Sequence, residues 1–248
     1  MKINSLKIIS LSLIASLTIV GCGGGGGGSS SDASSTPKAS TATAPTSSQT
    51  DGMDYQTLFS LVNTTKDKSE IIIDANGVSG LTVKCNGTDI TTEQYGLFSC
   101  NSQKISVYLG DFKLGSLAKI PDDKIIFTQD IVGVPRAASM YPDVTKISMI
   151  LQSLDEDGDI TNGISITQKS IDETNNELAN YSDISELSIE DTQNIIKNVI
   201  QQRKIKDPNT KLIGVSEKEA QINLTATLAS LPATSIEEKR SFASISSN

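Results

Sequence analysis

Residues 81–100 read LTVKCNGTDITTEQYGLFSC. Leu81, Val83 and Cys85 alternate with Thr82 and Lys84, the period-two pattern of a strand with one buried face. Asn86-Gly87 and then Gly96 interrupt the apolar positions, as turns do. The same rhythm extends outward in both directions. EIIID precedes the stretch at 70–74, and KISVYLG, DFKLGSL and DKIIFTQD follow it up to Asp130. Ile105, Val107 and Leu109 alternate as well, and further breaks fall at Asn76-Gly77, Gly110 and Pro121-Asp122. Strands about 8 to 12 residues apart with such punctuation predict a small antiparallel β-sandwich of about six or seven strands.

From Val144 onward the period changes. Val144, Ile147, Ile150, Leu151 and Leu154 form a helical stripe, with Pro142-Asp143 in the first turn. A weaker, Asn-rich helical stretch covers about Gln168 to Tyr181. A third helix opens at Ser188 and carries Ile195, Ile196, Val199 and Ile200 towards Arg203-Lys204, cations suited to a helix C-terminus. A fourth opens with the capping box Ser216-Glu217-Lys218-Glu219 and places Ala220, Leu224, Thr227, Leu228 and Leu231 on one face. The fold class is therefore α+β, with a β-sandwich followed by about four helices. A sandwich of about 60 residues alone would be marginal, so the helices are expected to cover one of its faces.

The chain opens MKINSLKIISLSLIASLTIVGC. Lys2 and Lys7 precede an apolar run from Ile8 to Val20, short for a spanning helix and typical of a signal-peptide core. Ile19-Val20-Gly21-Cys22 resembles the lipobox of bacterial lipoproteins, with Ile19 where that family prefers Leu. The resemblance implies acylation at Cys22 and, because Gly23 follows instead of Asp, sorting to the outer membrane of a Gram-negative cell. Two or three acyl chains make such anchoring effectively permanent. The Gly/Ser/Thr/Pro-rich segment that follows has no apolar periodicity and reads as a disordered tether. The expected organisation is a signal peptide at 1–21, the lipidated Cys22 and tether at 22–68, a β part at 69–135, a helical part at 136–231 and a frayed tail at 232–248.

Composition restricts function. A net charge of −8 disfavours nucleic acid and anionic lipid surfaces as partners. Histidine is absent, which excludes Ser-His-Asp and Cys-His catalysis and most zinc or iron sites. Tryptophan is absent and aromatics make up 4% of the chain, so stacking platforms for sugars or single strands are scarce. No P-loop, no G-x-G-x-x-G and no G-x-S-x-G occurs. Asp122-Asp123 and Glu237-Glu238 are adjacent carboxylates, whereas the paired carboxylates of glycosidases come from separated positions. A hydrolase is thus the weaker alternative.

Cys85 and Cys100 end two predicted strands, and an oxidising envelope compartment predicts a disulfide between them. A redox-active pair would want a close C-x-x-C. The β segment resembles carboxypeptidase-regulatory-like or prealbumin-like modules of secreted bacterial proteins, on the strength of Thr91-Thr92-Glu93-Gln94-Tyr95-Gly96-Leu97-Phe98. The order of strands, LQSLDEDGDITNGISI and VSEKEAQINLTATL is similar to an uncharacterised module of proteobacterial surface lipoproteins and adhesin-like proteins. That likeness spans about Gly77 to Leu231 and implies location and architecture, with no activity attached.

The segment Leu151–Ile166 raises a metal question. Asp155, Asp157 and Asp159 stand at positions 1, 3 and 5 of a calcium-type loop, at a helix end whose dipole already disfavours negative charge. An EF-hand is excluded, because Ile160 stands where the loop demands Gly and Ile166 where it demands Glu. Two readings stay open: a solvated, helix-stopping turn, or a looser calcium cage of Asp155, Asp157 and Asp159 with Asn162 or a backbone carbonyl. No other cofactor is implied. The functional expectation is a non-enzymatic, lipid-anchored envelope protein with a structural or binding domain. A calcium-stabilised, adhesin-like module that binds a protein or polysaccharide is the variant of that expectation.

Overall fold

The computed structural model describes residues 69–230; the expected signal peptide, Cys22, the expected tether, Leu231 and the expected frayed tail lie outside the described residues. The strands are β1 (Glu70–Ile73), β2 (Val78–Ser79), β3 (Thr82–Cys85), β4 (Thr88–Thr91), β5 (Leu97–Phe98), β6 (Ile105–Leu109), β7 (Phe112–Leu117), β8 (Ile125–Phe127) and β9 (Ile164–Ser165). The α-helices are α1 (Thr128–Val132), α2 (Pro142–Ser153), α3 (Gln168–Leu178), α4 (Ile189–Lys206) and α5 (Glu217–Ala229). The class is α+β. The four helices read from sequence periodicity are α2 to α5, and α1 is an additional short one.

A four-stranded antiparallel sheet has the order β4-β3-β6-β7. Its first hairpin turns at Asn86 and Gly87, both left-handed with φ 49° and 80°, as a two-residue turn matched to strand twist requires. A three-stranded sheet has the order β5-β1-β8, and β2 pairs with β9. Two pairings are parallel: β1 with β8, inside the segment for which the sequence predicts an antiparallel sandwich, and β2 with β9, for which the sequence predicts no partner. Parallel strands need a long crossover. Strands β2 to β7 supply it in the first case, and the chain through α1 and α2 supplies it in the second. Strand β9, from within the expected helical part, thereby locks that part to the β part.

Strand β1 explains the run of three isoleucines. Ile71, Ile72 and Ile73 are all fully buried, because both faces of the strand are covered. Ile72 faces the larger core, with Val83, Val107 and Leu114 of the four-stranded sheet. Ile71 and Ile73 face a smaller cluster with Ile125, Phe127, Val144, Leu224 and Leu228. Helices α2 and α5 thus cover the second face of this sheet, as the size argument requires. Cys85 at the end of β3 is bonded to Cys100 just past β5, with Cα atoms 5.9 Å apart, so the disulfide staples the two larger sheets together.

Helix α2 departs from its amphipathic reading. Every residue from Val144 to Ser153 is buried, the condition of a helix enclosed on all sides. Its polar residues are tied to surrounding elements. Thr145 Oγ1 accepts from Gln221 of α5, and Lys146 Nζ donates to the carbonyls of Ile184 and Leu187 while pairing with Asp143. Ser148 and Gln152 donate to Asp74 at 2.5 and 2.7 Å, and Ser153 Oγ accepts from Val215 N–H. Asp74 also accepts from Thr128 Oγ1 at the start of α1 and from the Ala75 N–H.

A second internal tie involves Arg136, only 2% exposed. Its guanidinium forks onto Asp123, bonds Asp130 and the Ile125 carbonyl, and lies 4.7 Å from the Phe127 ring centroid. The planar fork matches a carboxylate in a way that Lys would not. Asp122, by contrast, pairs with exposed Lys119. The adjacent carboxylates Asp122 and Asp123 therefore diverge, and each has its own cation.

Candidate functional site

The acidic loop begins where α2 stops. Asp155 is 1% exposed, and its Oδ1 accepts from the Ser165 N–H of β9 at 2.9 Å. The backbone closes over it: the Glu156 N–H donates to the Ser165 carbonyl and the Gly158 N–H to the Asp155 carbonyl. Gly158 is left-handed, with φ 72°, and a Cβ there would strike the Lys211 carbonyl. Glu156 turns outward to Arg203 at 2.9 Å and to Thr167, so one of the four acidic groups is neutralised by a cation of α4.

The remaining carboxylates do different work. Asp157 is exposed; its Oδ1 accepts from the Asp159 N–H and its Oδ2 from Asn162 Nδ2. Those donors, the Asn162 amide first, hold its carboxyl below the usual carboxylate range. Asp159 caps the short 3-10 turn Ile160–Asn162 by accepting from the N–H and hydroxyl of Thr161. Among the described residues, no group of three or more His, Cys, Asp or Glu is placed to hold a metal ion. The structure brings Asp155 and Asp157 together, connects Asn162 to Asp157, and spends Asp159 on its own turn.

Asp155 carries the electrostatic tension of the loop. Its Oδ2 is buried and has no donor, while the Asp157 carboxyl stands within hydrogen-bonding reach. Burial first, and then the neighbouring Asp157, pushes Asp155 up from 3.8 to about 6, against the lowering effect of the Ser165 N–H. Below about pH 6 a proton on the pair supplies the missing donor.

Beyond this loop lies a cleft of about 570 Å3 between the ends of β2 and β9 and the turn before β5. Its lining includes Ser79, Gln94, Tyr95, Asn162 and Ser165, all neutral. Tyr95 adopts φ 63° and ψ 18°, a left-handed conformation that costs a bulky residue on the order of 1 kcal/mol or more. Close backbone packing encloses it: a Cβ on Gly77 would overlap the Tyr95 carbonyl, and one on Gly96 would overlap the Ile72 carbonyl. Thr92, two residues before the cleft, is buried; its hydroxyl donates to the Val78 carbonyl and accepts from the Leu81 N–H. The segment singled out by its resemblance to secreted modules is thus a wrap around β2 that presents Gln94 and Tyr95. A second concavity, of about 640 Å3, runs along α4, with Ile196, Ile200 and Val215 lining it beside Lys197 and Lys204.

Sequence reasoning found Cys85, Cys100 and the acidic loop, and Cys22 lies outside the described residues. It missed Asp74, Arg136 and Tyr95. An Asp immediately after three isoleucines is a signal for the first, since a fully buried strand that ends in a carboxylate must supply it with donors. The Tyr95 conformation has no sequence signal beyond the neighbouring Gly96.

The Asp155 proton has a measurable consequence. Folding retains it up to about pH 6, whereas an unfolded Asp releases it near 3.8. Its stabilisation is fully present below about pH 4 and is lost as pH rises through 6. Asp155→Asn keeps an oxygen for Ser165 and places an amide beside Asp157. Urea unfolding from pH 4 to 7 should therefore show the wild type losing about 3 kcal/mol relative to the variant. Parallel stability profiles for the two proteins would contradict this assignment.

No family model matches the chain, and searches of the curated proteins and of the solved structures return no match. The likeness of Gly77 to Leu231 to a lipoprotein module rests on the residues quoted above alone.

Proposed function

We propose that this protein is a lipid-anchored envelope protein whose folded domain recognises a partner and does not turn over a substrate. One observation carries the reading: the buried cations are paired with carboxylates within the fold, while the cleft offers only neutral groups. Asp123 and Asp130 meet Arg136, Glu173 meets Arg203, and Lys146 meets Asp143. A cleft without a carboxylate or a cation on its lining can recognise a ligand through hydrogen bonds and an aromatic surface, and Tyr95 alone of its lining residues is titratable. The Cys85–Cys100 disulfide supports an oxidising compartment, consistent with a lipobox at Cys22. Mass spectrometry of membrane-extracted protein should find acyl mass on the peptide that begins at Cys22, and Cys22→Ser should leave the membrane fraction. An unmodified N-terminus, or a variant that still pellets with membranes, would remove the anchor.

A second reading concerns calcium, favoured by the donor-less Oδ2 of Asp155 beside Asp157. A divalent cation between these carboxylates, with Asn162 or a carbonyl completing an oxygen shell, would satisfy the same oxygen that a proton satisfies at lower pH. At pH 7.5 calcium at about 1 mM should raise the melting temperature of the wild type and not of Asp157→Ala. An unchanged wild-type melt in calcium and in chelator would leave the proton as the sole occupant.

A further inference from the structure

We infer that the cleft at Tyr95 is a binding site for a neutral carbohydrate. The inference deepens the recognition reading and rests on it. The argument begins with unused hydrogen-bonding capacity. Among the described residues, no hydrogen bond engages the side chains of Gln94, Tyr95 or Ser165, and all three border the cleft. Ser79 Oγ donates to the Ile164 carbonyl and retains its acceptor capacity. Asn162 spends its amide NH2 on Asp157 and retains its carbonyl oxygen. The cleft therefore offers an amide, two free hydroxyls and two further acceptors, spaced around an aromatic ring.

A sugar hydroxyl both donates and accepts, so it pairs with amides and hydroxyls of either sense. An ionic ligand would lack a counter-charge here, and desolvating it unpaired is expensive. A purely apolar ligand would leave five polar groups without water or partner. The half-buried Tyr95 packs against the smaller core cluster and lines the cleft, where its apolar body suits the C–H face of a pyranose. Tyr combines an apolar body with a polar tip, which suits a ligand of mixed character.

Two observations indicate that this surface is held in place for use. Tyr95 stays in a left-handed conformation, and strain of this kind collects where a side chain must be aimed. Asn162 is fixed by Asp157, which in turn stands against buried Asp155. Asn76 Nδ2 donates to the Thr161 carbonyl. The acidic loop thus acts as a support that sets Asn162 and Gly163 at the cleft rim.

The test uses the full chain in detergent on an array of neutral oligosaccharides built from hexoses and N-acetylhexosamines, with sulfated and uronic-acid oligosaccharides as charged controls. Affinities of the neutral probes that bind are then measured for three variants. Gln94→Ala combined with Ser165→Ala removes two exposed side chains and should leave the melting temperature unchanged while weakening binding at least roughly tenfold. Tyr95→Asn, which tolerates the left-handed backbone, should weaken binding to a similar degree. Lys204→Ala, in the α4 concavity, should bind as the wild type does. Binding to no neutral probe, binding only to the charged controls, or full affinity in the Gln94/Ser165 variant would each overturn the assignment. Binding only to the charged controls would keep recognition by the domain while removing the neutral ligand, so the two readings fail separately.

Discussion

The carboxyl group of Asp74, fully buried at the end of β1, is the constraint around which the domain is assembled. Four neutral donors meet its two oxygens, from Ala75, Thr128, Ser148 and Gln152. A buried carboxyl without such donors would cost several kcal/mol. Its presence therefore dictates where α1 starts and which face of α2 looks at the sheet. The network continues outward, because Asn223 of α5 donates to the Gln152 side-chain oxygen Oε1 and Thr227 donates to the Ala75 carbonyl. Strand, first helix, central helix and last helix meet at one polar point inside an apolar interior. Apolar packing supplies most of the driving force, and this point supplies the alignment.

That alignment reaches the surface through α2. Its C-terminus delivers Asp155 beneath β9, and the Ser165 N–H closes on the carboxylate. Strand β9 then pairs in parallel with β2 at Val78–Ile164 and Ser79–Ser165. The turn that contains Tyr95 and the turn that contains Asn162 both border the cleft beside this pair. A cleft built at such a junction inherits the rigidity of both segments, a requirement for recognition by a few neutral groups. The same junction accounts for the separate tasks of the acidic side chains in the loop. Glu156 reaches Arg203, Asp159 caps its own turn, and Asp157 holds Asn162.

Much of this was legible in the chain. Leu81-Val83-Cys85, Asn86-Gly87 and Ile105-Val107-Leu109 announce the antiparallel sheet, and Ser188 and the capping box at Ser216 announce two helix starts to the residue. The disulfide followed from strand ends and compartment. Parallel pairings were not legible, because β2 and β9 are two residues long and their partnership is a long-range choice made by packing. The full burial of α2 was hidden for a related reason: Thr145, Ser148, Gln152 and Ser153 read as an exposed face until their partners are known. For the site, the Asp spacing drew attention to the loop, while the neighbouring cleft depends on a backbone conformation at Tyr95 that no residue pattern encodes.

The most direct test of this account is equilibrium unfolding of Asp74→Ala beside the wild type, followed by urea and by scanning calorimetry. The account predicts a loss of about 3 to 5 kcal/mol, since four donors lose their acceptor at once, with strands and helices still melting in a single transition. A loss below about 1 kcal/mol, or helices that melt apart from the sheets in the wild type, would contradict it.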